Sequence, residues 1–220
     1  MLKISVVTAT LAILAGYSFF IDWHERHKPE YVVCFGDSLT ACGGWGGRYS
    51  DYLAQSLPAC RVINRGIRGN TLAQGRTRFY HDVLRLRPKV VILELGANDF
   101  HRKERSLDAL QDDLASMTSS ARAAGIQVLI AGVFGTQRDA FGNLVPKIYH
   151  EGSPEFGSSI LEMERSVARQ FGAVHVENIQ VDLNRVEHWD DPRHPSAEGN
   201  KIVAALLLPH LEKLIAGQQP

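Results

Sequence analysis

The sequence predicts an α/β protein in which helices cover both faces of a five-stranded parallel sheet. Short apolar runs alternate along the chain with longer segments whose apolar residues recur every three to four positions, an alternation that is typical of parallel sheets. The runs are apolar at consecutive positions, as strands buried on both faces are. With 220 residues, of which 45% are hydrophobic, the chain is long enough for one domain with a substantial core.

The overall composition argues against several classes of partner. The 24 basic residues balance the 24 acidic ones, whereas nucleic-acid-binding domains usually carry a basic excess. Three cysteines, at positions 34, 42 and 60, form neither a disulfide framework nor a cluster of metal ligands. Cys34 is predicted to be a buried apolar residue. Cys42 and Cys60 would pair only in an oxidising compartment.

The first 29 residues stand apart from the rest of the chain. Residues 4–21 carry no charge, and 18 residues of helix span about 27 Å, enough to cross the core of a bilayer. We favour an uncleaved membrane anchor followed by a polar linker, with a cleavable signal peptide or a buried helix as alternatives. The rest of the chain, 30–220, is then predicted to form the folded domain, membrane-anchored or secreted, on the extracytoplasmic side.

The first strand of the domain, Val32–Phe35, leads directly into Gly36-Asp37-Ser38-Leu39. A sharp turn at a glycine can raise a serine hydroxyl towards solvent, where it can act as a nucleophile. Ser38 could equally cap the helix that follows. The glycines of 43–47 suggest a flavin or phosphate cradle as a non-enzymatic alternative, but they lack the spacing of known phosphate-binding loops.

Four further strands are predicted, at 61–64, 90–95, 128–134 and 173–176. Helices are indicated by apolar stripes that begin near Tyr49, Leu72, Leu107, Ile160 and Ile202, and Ser106 and Ser196 are expected to cap two of them. The polar segment 135–156 is long for a connection within a compact domain. Its apolar residues could shield a substrate as a lid or pack on the body of the domain (Phe141, Leu144, Val145, Ile148 and Tyr149).

Right-handed crossovers place the carboxyl ends of all parallel strands at one edge of the sheet, where ligands of such folds bind. Ser38, the loop containing Gly66 and Gly69, and Asn98 each follow a predicted strand and are therefore expected to converge there. The loop could also be a simple connection, and Asn98 could simply form a turn.

Asp191 and His194 lie three residues apart before the last helix. A serine hydroxyl needs a base to accept its proton, and histidine suits that task near neutral pH. A carboxylate can fix the tautomer of that histidine through its other ring nitrogen. One turn of chain brings Asp191 within reach of His194, so the two are candidates for the orienting carboxylate and the base of a Ser-His-Asp triad with Ser38.

The chain resembles the SGNH, or GDSL-type, hydrolase family. The resemblance rests on four blocks in the family's order: Gly-Asp-Ser-Leu at 36–39, the glycine loop ending in Gly-Asn-Thr at 69–71, Gly-x-Asn-Asp at 96–99 and Asp-x-x-His at 191–194. Together they cover the region from about Tyr31 to Leu214. The likeness is greatest to the bacterial thioesterase, lysophospholipase and arylesterase branch.

This resemblance implies a flavodoxin-like three-layer α/β/α fold, the SGNH hydrolase fold, and it assigns roles to individual residues. Ser38 is the nucleophile, His194 the general base, and Asp191 its orienting partner. The oxyanion hole consists of the backbone N–H groups of Ser38 and Gly69 and the side-chain amide of Asn98. An acyl-serine intermediate forms and is hydrolysed by water, and no metal or cofactor is needed.

The implied function is hydrolysis of carboxylic esters, with acyl esters such as lysophospholipids, aryl esters or thioesters as substrates. A carbohydrate O-acetylesterase acting on envelope polysaccharide is the enzymatic alternative. A metal-dependent phosphoester hydrolase is disfavoured, because no cluster of ligands is evident. The second block departs from the branch pattern: Arg68 and Asn70 stand where serine and aspartate are usual. The segment 135–156 also looks longer than its counterpart.

Overall fold

The computed structural model describes residues 30–138, 141–146 and 154–218. The predicted N-terminal anchor, and Ile148 and Tyr149 of the predicted lid, lie outside these residues. None of the helices in the described part of the chain combines the length and apolarity needed to span a bilayer.

As predicted, five strands form one parallel sheet. The strands are β1 (Glu30–Gly36), β2 (Cys60–Gly66), β3 (Val90–Glu94), β4 (Gln127–Ala131) and β7 (Val174–Val176). Their order across the sheet is β2-β1-β3-β4-β7. Every residue of β3 is buried, which is expected for a central strand covered on both faces. The register pairs Gly36 of β1 with Glu94 of β3, so these two strands end side by side.

Seven helices connect the strands in the described residues: α1 (Ser38–Ala41), α2 (Tyr49–Ser56), α3 (Leu72–Asp82), α4 (Ala97–Arg102), α5 (Leu107–Ala123), α6 (Pro154–Phe171) and α7 (Ala197–Ile215). Helix α5 packs against both α3 and α6, and α2 packs against α7. Short 3₁₀ helices lie at Leu84–Leu86 and Val186–His188. Ser106 and Ser196 cap α5 and α7 as predicted, each accepting a hydrogen bond from the N–H three residues later.

The fourth strand is shorter than predicted, because it ends at Ala131 rather than Phe134. Its neighbour β7 has only three residues, and Ala131 is the last residue of β4 that pairs with it. Beyond this point the N–H of Gly132 still bonds the carbonyl of Val176, but no regular ladder continues. Apolar sequence therefore extends past the hydrogen-bonded strand and becomes part of the wall of a cleft.

The segment predicted as a lid contains an antiparallel pair of strands, β5 (Thr136–Arg138) and β6 (Leu144–Pro146). Phe141 and Leu144 are exposed on it. The amide of Asn178 donates to the carbonyl of Thr136, and Arg138 pairs with Asp182 at 2.6 Å. These contacts hold the pair of strands against the loop that follows β7.

Candidate active site

Ser38 is the first residue of α1, immediately beyond the end of β1. Asp37 caps this short helix, because its Oδ1 accepts a hydrogen bond from Leu39 N at 2.9 Å. Asp37 is therefore the N-cap residue of this helix, and Ser38 is not. The turn needs glycine at position 36, since a Cβ there would lie 2.1 Å from Thr40 Oγ1 and 2.5 Å from the carbonyl oxygen of Glu94.

The loop before α7 carries Asp191 and His194 on one closed turn. Trp189 and Pro195 form an antiparallel bridge at its base, and Asp190 N donates to the carbonyl of His194 at 2.9 Å. Asp191 Oδ1 accepts a hydrogen bond from His194 N at 3.0 Å and another from the N–H of the residue that precedes His194. These are the bonds by which an aspartate side chain stabilises a turn.

Ser38, His194 and Asp191 form a continuous chain of contacts. His194 Nε2 lies 2.9 Å from Ser38 Oγ, although the two residues are 156 positions apart. His194 Nδ1 lies 2.7 Å from Asp191 Oδ2. The bond from His194 holds the pKa of Asp191 below its usual value, which keeps the carboxylate ionised. The structure thus brings together all three residues predicted to form a triad.

Gly69 lies in a tight turn whose chain reversal is closed by a bond from Asn70 N to the carbonyl of Ile67 at 3.1 Å. Its φ of +77° is in the left-handed region that glycine adopts at this position of a type II turn. Arg102 donates to the carbonyl of Gly69 at 2.8 Å. Within the described residues, the N–H groups of Ser38 and Gly69 donate to no other group, and both residues line one cleft.

Asn98 is in the same cleft, and both of its amide hydrogens are engaged. Its Nδ2 donates to Asp37 Oδ2 at 2.8 Å and to the carbonyl of Asn70 at 3.1 Å. An amide nitrogen has two hydrogens, so Asn98 reaches an additional acceptor only by exchanging one of these bonds. The bond to Asn70 is the longer one, and its acceptor is neutral.

In the sequence, Asp37 was noted only as part of the Gly-Asp-Ser-Leu block, and no role in the site was predicted for it. The residue is fully buried, and its two carboxylate oxygens accept from Leu39 N and Asn98 Nδ2. Burial raises its pKa from 3.8 to about 6, against the opposing effect of these hydrogen bonds. A second buried carboxyl, that of Glu94, has a raised pKa for the same reason and accepts from Thr40 Oγ1 at 2.9 Å.

The cleft around Ser38 has a volume of about 930 Å³. Several of the residues that line it are apolar or aromatic, namely Leu39, Phe100, Val133, Phe134, Val186 and Trp189. Others are polar, among them Arg68, His101, Gln137, Gln180 and Arg193. Gln137 belongs to β5, so the segment predicted as a lid contributes to the cleft. Large enzyme pockets commonly combine such apolar walls with a few polar groups.

The two ends of the glycine-rich stretch 43–47 are close-packed, whereas residues 44–46 between them are exposed. A Cβ at Gly43 would lie 2.2 Å from the carbonyl of Gly47, and one at Gly47 would lie 2.8 Å from Ala197 Cβ. These glycines let the loop approach α7 closely. In the part of the chain that the structure describes, no group of three or more His, Cys, Asp or Glu side chains is arranged to hold a metal ion, and all three cysteines are free.

Comparison with known proteins agrees with this geometry. The chain is 32% identical over 127 residues to esterase TesA of Pseudomonas aeruginosa, covering 55% of this chain and 63% of the esterase, slightly under two thirds of its length. It is 32% identical over 215 residues to an acetylxylan esterase of Geobacillus stearothermophilus, covering 81% of this chain and 92% of that protein.

A crystal structure of TesA superposes with a TM-score of 0.69 at 26% identity, covering 84% of this chain and 99% of that one. Residues 34–202 match the family described as GDSL-like Lipase/Acylhydrolase. This matched region begins within β1 and ends within α7, and it contains all four sequence blocks. The chain therefore belongs to the GDSL-like lipase/acylhydrolase family and is a carboxylic ester hydrolase.

Proposed function

We propose that the protein cleaves acyl esters through an acyl-serine intermediate, with Ser38 as nucleophile, His194 as general base and Asp191 as its orienting partner. The observation that carries the proposal is the unbroken series of contacts from Asp191 through His194 to Ser38, at 2.7 and 2.9 Å. These distances lie within the reach of direct proton transfer.

In the proposed reaction, His194 Nε2 takes the proton of Ser38 as Oγ attacks the ester carbonyl. The negatively charged Asp191 stabilises the imidazolium that forms. His194 then gives this proton to the leaving alcohol, and the C–O bond of the ester breaks. Water repeats the sequence on the acyl-serine, with His194 again accepting and returning a proton. The carboxylic acid leaves and Ser38 recovers its hydroxyl.

We infer that the oxyanion is held by the N–H groups of Ser38 and Gly69 and by the amide of Asn98. Such donors typically contribute about 10²–10³ each to the rate. Because both hydrogens of Asn98 are engaged in the free enzyme, Asn98 joins the oxyanion hole by releasing the carbonyl of Asn70. The stronger, charge-assisted bond to Asp37 stays in place and fixes the direction of the amide.

The size and walls of the cleft support substrates larger than an acetyl ester. A volume of about 930 Å³ with aromatic side chains among the lining residues suits an acyl chain or an aryl group, and burial of each methylene contributes about 0.8 kcal/mol. We therefore place acyl esters of lysophospholipids, aryl esters and thioesters before sugar acetates as substrates.

The test of this proposal is Ser38→Ala, assayed on a nitrophenyl acyl ester. We expect turnover to fall at least roughly 10³-fold, because the remaining groups cannot form the acyl intermediate. An alkyl fluorophosphonate should label the wild type at Ser38 and leave the variant unlabelled. Ser158→Ala, at an exposed serine of α6, is the matched control. Near wild-type turnover in Ser38→Ala would refute the assignment of the nucleophile.

A carbohydrate O-acetylesterase is the second candidate, favoured by the similarity over most of both chains to the acetylxylan esterase. The cleft is also lined by Arg68, Gln137 and Gln180, which offer hydrogen-bonding groups that a sugar needs. Higher kcat/KM on acetylated sugars than on longer acyl esters would establish this alternative over the first.

We also propose that residues 1–29 are a separate segment that keeps the domain 30–220 at a membrane on its extracytoplasmic side. The proposal rests on the uncharged run 4–21. The full chain is expected to remain with the membrane fraction after washing at alkaline pH. Its recovery in the wash would contradict the proposal.

A further inference from the structure

Arg78 of α3 extends its guanidinium under the floor of the candidate site. Its side chain is only 15% exposed, and its three nitrogens bond to three different segments. Nε donates to Asn70 Oδ1 at 2.7 Å, Nη1 to the carbonyl of Arg65 at 2.9 Å, and Nη2 to the carbonyl of Gly36 at 2.8 Å.

Two of these three acceptors, Gly36 and Asn70, adjoin the donors of the proposed oxyanion hole. Gly36 lies two residues before Ser38, and its carbonyl also accepts from Ile67 N at 3.1 Å. Asn70 follows Gly69 directly, and its carbonyl is the present partner of the Asn98 amide. The guanidinium of Arg78 therefore contacts both the segment that carries the Ser38 donor and the segment that carries the Gly69 donor. The second of these segments includes Asn70, whose carbonyl accepts a hydrogen bond from Asn98.

The position of this guanidinium is itself fixed from two sides. Its carbon lies 4.0 Å from the ring centroid of Phe35, a fully buried residue of β1. Asp82, one turn further along α3, accepts from Nη1 at 2.7 Å. Stacking on an aromatic ring and a planar fork of donors are properties of arginine that lysine lacks.

We infer that Arg78 is a positioning residue for the oxyanion hole. It does not touch the substrate; it sets the spacing between the β1 end and the Gly69 turn, and so the distance between the two backbone donors. The inference rests on the proposed function, because the oxyanion hole that Arg78 positions is itself part of that proposal. Oxyanion donors act only when they lie about 2.7–3.1 Å from the developing charge, so small shifts of the turn are costly.

A purely structural role for Arg78 would also lower activity, so the test needs a measurement that depends on the oxyanion itself. Replacing the carbonyl oxygen of an ester by sulfur gives a thionoester. Sulfur is larger and accepts hydrogen bonds more weakly, so donors placed for oxygen stabilise it less. The ratio of ester to thionoester turnover therefore reports how well the hole is formed, whereas a smaller fraction of folded enzyme lowers both rates equally.

The experiment compares the full-length wild type with Arg78→Lys and Asn70→Ala on a matched ester and thionoester. Arg78→Lys keeps the charge and loses the fork, and Asn70→Ala removes only one of the three acceptors. Arg76→Gln is the control on the same helix. Arg76, whose side chain is about half exposed, pairs with the buried Asp113 at 3.0 Å, and Asp113 keeps a second arginine partner, Arg105, when Arg76 is changed.

For Arg78→Lys we expect kcat on the ester to fall roughly 10- to 100-fold, somewhat less than for loss of a complete donor, with KM within about twofold of wild type. The ester-to-thionoester ratio should fall by a similar factor. Asn70→Ala should shift both quantities in the same direction by less, and Arg76→Gln should shift neither. Asn98→Ala serves as the positive control for a damaged hole.

An unchanged ratio in Arg78→Lys would overturn the inference even if kcat fell. If that variant does not fold, an unchanged ratio in folded Asn70→Ala would overturn it. Failure of the proposed function would look different, because the wild type would then not hydrolyse the ester through Ser38 at all.

Discussion

Asp37 holds the Asn98 amide in place at a cost in stability. Its pKa is about 6 in the folded protein because the side chain is buried, whereas an unfolded aspartate titrates near 3.9. Between about pH 4 and 6 the folded state therefore binds more protons than the unfolded state. Stability accordingly falls as pH rises through this window and stays lower above it.

Asp37→Asn should remove this titration and damage the site together. The amide has one acceptor oxygen, so it cannot serve both Leu39 N and the Asn98 amide, and we expect kcat to fall at least tenfold. Urea unfolding from pH 4 to 7 should show a smaller loss of stability with rising pH in the variant than in the wild type. The exposed Asp112→Asn, on α5, is the control. Equal pH slopes in all three proteins would contradict the account.

For individual residues, the sequence was informative where the residue belongs to a motif. Ser38, Gly69, Asn98, Asp191 and His194 were singled out by motif, spacing and the family resemblance, and all five line the same cleft. Arg78 was missed, because its partners lie up to 42 positions away and no local pattern couples an arginine of a helix to the end of a distant strand. The double engagement of the Asn98 amide was likewise visible only in three dimensions.

Among the elements, those with their own start signals were predicted well. The N-caps at Ser106 and Ser196 and the five strands follow from local sequence, since capping and apolar runs act over a few residues. The end of β4 was not predictable, because it depends on how far its neighbour β7 extends. The pairing of β5 with β6 was also not predicted, since their three-residue strands carry little periodic signal.

Ser106→Ala should weaken α5 without affecting the reaction. Ser106 Oγ accepts from Ala109 N at 3.3 Å in an exposed position. Loss of such a cap costs about 1 kcal/mol. We expect the free energy of unfolding to fall by that amount while kcat and KM stay unchanged. Ser119→Ala, within the same helix, should cost less, and a larger loss there than at Ser106 would contradict the capping role.

The whole molecule brings cleft walls together from distant parts of the chain. Phe100 follows β3, Phe134 follows β4 and Trp189 precedes α7. The parallel topology predicts that loops meet at this edge of the sheet. The volume of the cleft and the mixture of its walls depend on side-chain packing across all the loops, so the sequence alone could not supply them.

A series of nitrophenyl esters with acyl chains of increasing length, starting at acetyl, tests whether the apolar residues of the cleft bind the substrate. Each added methylene that enters the cleft contributes about 0.8 kcal/mol, so kcat/KM should rise several-fold per methylene until the cleft is filled. A second series that lengthens the alcohol of an acetyl ester shows which side of the ester the wall binds. A maximum at acetyl, with no gain along either series, would contradict acyl and aryl esters as the preferred substrates.

Asp191 and His194 share one short turn whose ends are bridged, and this has a consequence for how the enzyme loses activity. Their mutual arrangement is set within a few residues, so it survives small rearrangements elsewhere. By contrast, the distance between the His194 imidazole and the Ser38 hydroxyl depends on the packing of the entire domain. The hydrolytic rate therefore depends on this separation as well as on the oxyanion donors, and we expect gentle heating or dilute denaturant to inactivate the enzyme reversibly before the sheet unfolds.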